Sequence, residues 1–252
     1  MKTTAVSADY DNGIAPRAAL GVVVLQTDET LEPELRSVLG EDHVALYHSR
    51  IPNSDDVTAE TLQAMAEEMP RALSLLPISR PLDVVAYACT SASTVIGPDR
   101  VSEMIRAAHP AAETTNPISA VIAACRHLGV RRLGLLTPYS LDVSARMQAL
   151  LEDAGIEIAA FASFEEASDE RVARLAPASV RAAIGEVARS ADVDAVFASC
   201  TNLQTFSIID AAEADIGKPV ISSNAALAWD MRRKAGLGSI TDGPGRLLQG
   251  RS

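Results

Sequence analysis

Short runs of β-branched and apolar residues alternate along the chain with longer stretches whose apolar positions recur at helical spacing, the grammar of repeated βαβ units. The runs at 20–26 (LGVVVLQ), 83–88 (DVVAYA) and 132–136 (RLGLL) are the clearest, and 44–48, 157–161, 194–199 and 219–222 continue the series. Most are nearly continuous in apolar residues, as strands covered on both faces of a parallel sheet are. Helical patterns occupy about 57–75, 98–108, 117–128, 140–154, 176–190, 203–215 and 224–235. Pro98 and Pro117 stand where first-turn prolines belong, and Gly129 and Gly155 where helices close at their carboxyl ends. Pro70, which has no N–H to donate, is expected to end or kink the first of these helices. The acidic segment 164–171 (FEEASDER) reads as a loop and the tail 236–252 has too few periodic apolar positions to assign. Neither segment suggests chemistry.

An internal repeat organises the strands. Asp83-Val-Val-Ala-Tyr-Ala-Cys89-Thr90-Ser91 aligns without gaps on Asp194-Ala-Val-Phe-Ala-Ser-Cys200-Thr201-Asn202, both reading D-x-V-x-x-x-C-T-[SN]. The copies lie nearly half the chain apart, as expected for an α/β protein of two pseudo-symmetric Rossmann-like lobes, each with a parallel sheet and one cysteine at a strand end. The two lobes then face each other.

With 252 residues, 48% of them apolar, the chain can bury a core without disulfide or metal staples. A formal charge of −11 argues against nucleic acid or an anionic membrane as partner. Three cysteines with no C-x-x-C pair, no leader-like apolar segment and no long apolar span point to a cytoplasmic protein with free thiols. No metal is expected, because His43, His48, His109 and His127 lack ligand spacing. Nor is a nucleotide cofactor, because 236–241 (GLGSIT) lacks the third glycine of a dinucleotide fingerprint and no phosphate-binding loop motif occurs.

Ligands of doubly wound sheets bind beyond the carboxyl ends of the strands, where Cys89 and Cys200 both fall. Backbone N–H groups of the following turn can stabilise a thiolate, so each loop offers a nucleophile beside hydroxyl groups that can hold a carboxylate. A lone cysteine is more often a small core residue, and Cys125, inside the helical run VIAACRHLG, is read that way. The duplicated context sets Cys89 and Cys200 apart.

These residues resemble the aspartate/glutamate racemase superfamily, and within it the maleate cis-trans isomerase and arylmalonate decarboxylase group. Four motifs carry the resemblance in order over most of the chain: the strand at 21–26 with Thr30-Leu-Glu32-Pro33-Glu34, then Ala88-Cys89-Thr90-Ser91-Ala-Ser93, Leu136-Thr137-Pro138-Tyr139, and Ser199-Cys200-Thr201-Asn202. The resemblance implies two pseudo-symmetric lobes, with residues 1–117 and 220–252 in the first and 118–219 in the second. It also implies cofactor-free catalysis in the cleft between them and a small carboxylate or amino-acid-like substrate. Homo-oligomers are common in such families. It places the isomerases' nucleophile on Cys89, its partner acid/base on Cys200 and a substrate-binding tyrosine on Tyr139. Thr90, Ser91, Thr201 and Asn202 complete the expected binding set, while Ser222, Ser223 and Asn224 read as ordinary helix caps.

Decarboxylases of the group carry glycine at the first cysteine position, so Cys89 favours isomerase or racemase chemistry. Decarboxylation, or ligand binding without catalysis on the same fold, stay as alternatives. One departure stands out: isomerases that act on maleate usually have asparagine where this chain has Asp28. Two like charges about 4 Å apart cost on the order of 4 kcal/mol at an effective dielectric of 20, nearly a thousandfold in affinity. The TDET segment is similar instead to the ectoine-utilisation branch, whose metabolites carry nitrogen that an aspartate can bind. Asp28 also fits a plain helix cap for 30–39.

Overall fold

The computed structural model describes residue 3 and residues 5–11 and 13–251. The first lobe is built from β1 (Ala18–Leu25), α1 (Leu31–Leu39), β2 (Val44–Ile51), α2 (Ala59–Ser74), β3 (Val84–Ala88), α3 (Thr90–Ile96), α4 (Pro98–Ala108) and β4 (Glu113–Thr115). Then follow α5 (Pro117–Leu128), β5 (Arg132–Thr137), α6 (Leu141–Asp153), β6 (Glu157–Ser163), α7 (Asp169–Val172), α8 (Pro177–Ser190), β7 (Ala195–Ala198), α9 (Ile209–Ile216), β8 (Val220–Ser222), α10 (Ser223–Lys234) and α11 (Gly245–Gln249). The two four-stranded sheets have the same order, β2-β1-β3-β4 and β6-β5-β7-β8, and every pairing is parallel. β1, β3 and β7 are buried at every position, which is why they read as unbroken apolar runs.

Val220–Ser222 complete the second sheet by pairing with β7, and the chain then returns to the first lobe in α10, which packs on α1, β3 and β4. Buried charges along this return are paired. Arg232 bonds the Val38 carbonyl at 2.7 Å and meets the Glu41 carboxylate, while Thr115 Oγ1 donates to Asp230 at 2.6 Å.

Several local expectations are corrected. Pro70 does not end α2, which continues to Ser74 with Met69, Ala72 and Leu73 buried; the bond lost at one proline is outweighed by this packed face. The segment 203–208 is not helical, and α9 starts only at Ile209. Four short elements were not anticipated. β4 is only three residues long, and α3 is cut from α4 by Gly97 at φ +96°, a conformation that disfavours a side chain. The tail contains α11, and the acidic loop ends in the short α7.

That loop crosses the cleft. Val57 N–H donates to the Ala167 carbonyl and Asp169 N–H to the Asp55 carbonyl, both at 3.0 Å, while Asp56 and Ser168 form an antiparallel bridge. The segments following β2 and β6, the equivalent edge strands of the two lobes, are thereby joined.

Candidate active site

In sheets of this order the strand connections diverge between β1 and β3 and again between β5 and β7, leaving a crevice beyond their carboxyl ends. Asp28 follows β1, Cys89 follows β3, Tyr139 follows β5 and Cys200 follows β7. A small pocket lies here, lined by Cys89, Thr90, Ser91, Tyr139, Cys200 and Thr201. Asn53, Asp56 and Asp169 line it too, on the loops that bridge the lobes, and none of the lining residues is Lys, Arg or His. Asp28 and Asn202, also expected in the site, do not line the cavity.

The two cysteines sit in related but unequal settings. Cys89 caps α3: its sulfur accepts from Ala92 N–H at 3.4 Å and lies 3.6 Å from Ser91 Oγ. Cys200 accepts from Asn202 N–H at 3.4 Å and has φ +141°, which non-glycine residues rarely adopt. Ser223 ties the two segments together. Its Oγ accepts from Cys200 N–H at 3.0 Å and from the Thr90 hydroxyl at 2.8 Å, whereas Ser222 is the residue that caps α10. Reading Ser223 as a cap therefore missed a bridge between the cysteine loops, because the contact depends on β8 lying beside β7.

Turn N–H groups do reach both sulfurs, as the strand-end position suggests, yet burial wins. It pushes the Cys89 thiol up to about 12, against Ala92 N–H and the Ser91 hydroxyl, with Asp169 and Asp28 adding to the rise. Burial also pushes Cys200 far up, followed by the repulsion of Asp169, while the Tyr139 hydroxyl and Asn202 N–H favour its anion. Both residues therefore rest as thiols. Cys125 is fully buried within α5 and also raised by burial alone, as a core thiol is.

Asp28 Oδ1 accepts from Thr30 and Leu31 N–H at 2.9 and 2.7 Å, the capping role at the start of α1. Its Oδ2 is buried without a hydrogen bond among the described residues. Burial raises this carboxyl from 3.8 to about 6, although Leu31 and Thr30 N–H and the nearby Thr201 hydroxyl favour the anion. A raised folded-state value means that stability present below the unfolded pKa is lost as pH rises through about 6, some 3 kcal/mol for this shift. Asp28→Asn, which keeps the capping oxygen, is expected to exceed the wild type in urea stability by about 2 kcal/mol near pH 7.5 and to match it near pH 4. Equal differences at both pH values would show that Asp28 is not a strained anion.

Asn202 is committed to holding the lobes together. Its Nδ2 donates to the Asp169 carbonyl at 3.1 Å, to Asp169 Oδ2 at 3.3 Å and to the Thr27 carbonyl at 3.4 Å, while its Oδ1 accepts from Glu29 N–H. Asp169, inside a segment with no chemistry assigned from sequence, is 5% exposed and accepts from Thr27 Oγ1 at 2.5 Å. Asn53 steadies the same threonine. The sequence signal that could have found Asp169 is the second lobe's counterpart of the loop after β2, a comparison that the cysteine repeat invites.

Glu34, in the T-x-E-P-E segment, forms the other clasp between lobes. Its Oε1 accepts from Thr205 and Phe206 N–H at 2.8 Å each, and its Oε2 accepts from Asn224 Nδ2 at 2.7 Å. Asn224 also donates to the Thr201 carbonyl, so this clasp holds the loop that carries Cys200.

Among the described residues no group of three or more His, Cys, Asp or Glu is arranged to hold a metal ion, and no helix is long and apolar enough to cross a membrane. A profile of the arylmalonate decarboxylase family matches residues 53–248. Maleate isomerase of Nocardia farcinica is 29% identical over 243 residues, covering 91% of this chain and 95% of that protein. A structure of Pseudomonas putida S16 maleate isomerase with maleate, carrying a cysteine-to-alanine substitution, superimposes with a TM-score of 0.86 at 26% identity, over 92% of this chain and 98% of that one. A Nocardia farcinica maleate cis-trans isomerase mutant with a covalently bound succinylcysteine intermediate superimposes with a TM-score of 0.83 at 26% identity, over 93% and 99% of the two chains.

Proposed function

This chain belongs to the arylmalonate decarboxylase family, and from that premise we propose that it is a cofactor-independent isomerase or racemase of a small carboxylate, with Cys89 and Cys200 as its chemical pair. The observation that carries this reading is that both cysteines, from equivalent strand ends of two like lobes, line one pocket. The covalent succinylcysteine in a relative of the same fold supports sulfur as the attacking atom.

In the isomerase version Cys89 loses its proton to solvent as substrate enters, and the thiolate bonds through sulfur to one carbon of an electron-poor alkene. Cys200 protonates the other carbon. The new single bond rotates, and elimination returns the proton to Cys200 and the sulfur to Cys89 with the geometry changed. In the racemase version one thiolate removes an α-proton and the opposite thiol delivers another. Both versions need one thiol and one thiolate, the state the pair reaches once one of its two resting protons has left. Ser91 and Thr201 offer hydroxyls to the substrate carboxylate, Thr90, whose own hydroxyl donates to Ser223, lines the same pocket, and Tyr139, whose phenol is held protonated by burial, donates toward Cys200. Asn202 and Asp28 act by positioning the loops that carry this set. An amino or N-acetylated acid of the ectoine-utilisation type is the finer substrate reading, supported by a cavity lined with acids and no base.

Proton NMR in deuterated buffer tests the reading with maleate, aspartate, aryl- and alkylmalonates, and amino or N-acetylated diamino acids. Change of alkene geometry or α-deuterium incorporation is expected for at least one of them. Loss of carbon dioxide from a malonate, with neither of these, would overturn it in favour of the decarboxylase that the family description names. In that case Cys89→Gly keeps turnover, because protonation by Cys200 alone suffices. Under the two-thiol reading the same substitution abolishes it.

A further inference from the structure

We propose that Asp169 is the cation-accepting residue of the cavity, so that the substrate is a small carboxylate carrying a protonated nitrogen that binds the free carboxylate oxygen of Asp169. The proposal rests on the reading above only in taking the two-thiol cavity as the substrate site. Asp169 lines that cavity and is 5% exposed, yet only Oδ2 is committed, to Thr27 and Asn202. Oδ1 accepts no hydrogen bond among the described residues. This carboxylate has Oδ2 fixed by two donors, while Oδ1 is not among the side-chain atoms shut off from solvent and is left open to a partner that enters the cavity.

The rest of the lining decides the sign of that partner. It includes Asp56 on the outer lip and no Lys, Arg or His, so a second anionic group placed near Asp169 meets repulsion with no cation to offset it. An ammonium or amidinium group finds an acceptor there. Asp28, the acid that the sequence suggested for this task, has one oxygen spent on α1 and does not line the cavity. The contact would also act on the chemistry. Asp169 repels the anionic form of both cysteines, and a cation bound to it relieves that repulsion as the substrate arrives.

Protection of Cys89 and Cys200 from iodoacetamide, read by peptide mass mapping on the full chain, tests recognition without requiring turnover. Racemic 2-aminobutyrate and butyrate differ only in the ammonium group. The half-protecting concentration of 2-aminobutyrate is expected to be at least about tenfold lower than that of butyrate in the wild type. In Asp169→Asn the gap should close to within about twofold. Equal protection by the two acids, absence of protection by the amino acid, or a gap that survives Asp169→Asn overturns the proposal. The wild-type comparison stands alone if the variant does not fold. Failure of the two-thiol reading shows separately, as turnover that persists without Cys89.

Discussion

Cys89→Ser is expected to lower kcat by at least about a thousandfold while the protein stays folded. The sulfur sits at the head of α3 with Ala92 N–H at 3.4 Å, and a hydroxyl can accept the same contact, so the substitution preserves the local structure. It removes the reactive atom. Serine is far less acidic than cysteine, and in a site where burial already pushes the thiol up to about 12 an alkoxide is out of reach. Substrate contacts from Ser91 and Tyr139 remain, so KM should change little. Steady-state kinetics with any substrate found active by NMR checks this, and a loss confined to KM would mean that Cys89 binds rather than reacts.

Glu34→Ala is expected to cost about 3–5 kcal/mol in urea unfolding and to reduce turnover as well. The carboxylate is raised by burial and held by Phe206 N–H, the Asn224 amide and Thr205. Truncation leaves those donors in the interface between lobes without an acceptor, and an orphaned buried donor costs more than a hydrogen bond contributes. Glu34→Gln keeps Oε1 for the two N–H groups but turns a donor toward Asn224, so a smaller loss, about 1–2 kcal/mol, is expected. A Glu34→Ala protein within about 0.5 kcal/mol of the wild type would show that the clasp carries no stability.

What was legible in the sequence is what local pattern encodes. Strands buried on both faces appear as apolar runs, and a repeat of D-x-V-x-x-x-C-T-[SN] places two cysteines at equivalent strand ends without any knowledge of tertiary contacts. The cavity accordingly contains Cys89, Thr90, Ser91, Tyr139, Cys200 and Thr201. Asp169, Ser223 and Asn53 were not legible, because each acts through a neighbour distant in sequence: Thr27 for Asp169 and Asn53, and Thr90 for Ser223. Asp28 shows the same limit from the other side. Its chemistry suggested a ligand, while the N–H groups that occupy it belong to its own helix. The state of the thiols was hidden for a different reason, since turn N–H groups are visible in a motif and the extent of burial is not.

The most direct test of two thiols acting as one unit is a double-mutant cycle on turnover, with Cys89→Ser, Cys200→Ser and the double variant assayed by proton NMR in deuterated buffer. Residues that share one reaction fail together, so each single variant is expected to lose as much activity as the double, with no further loss on combining them. Wild-type turnover in either single variant, or losses that multiply in the double, would contradict the account.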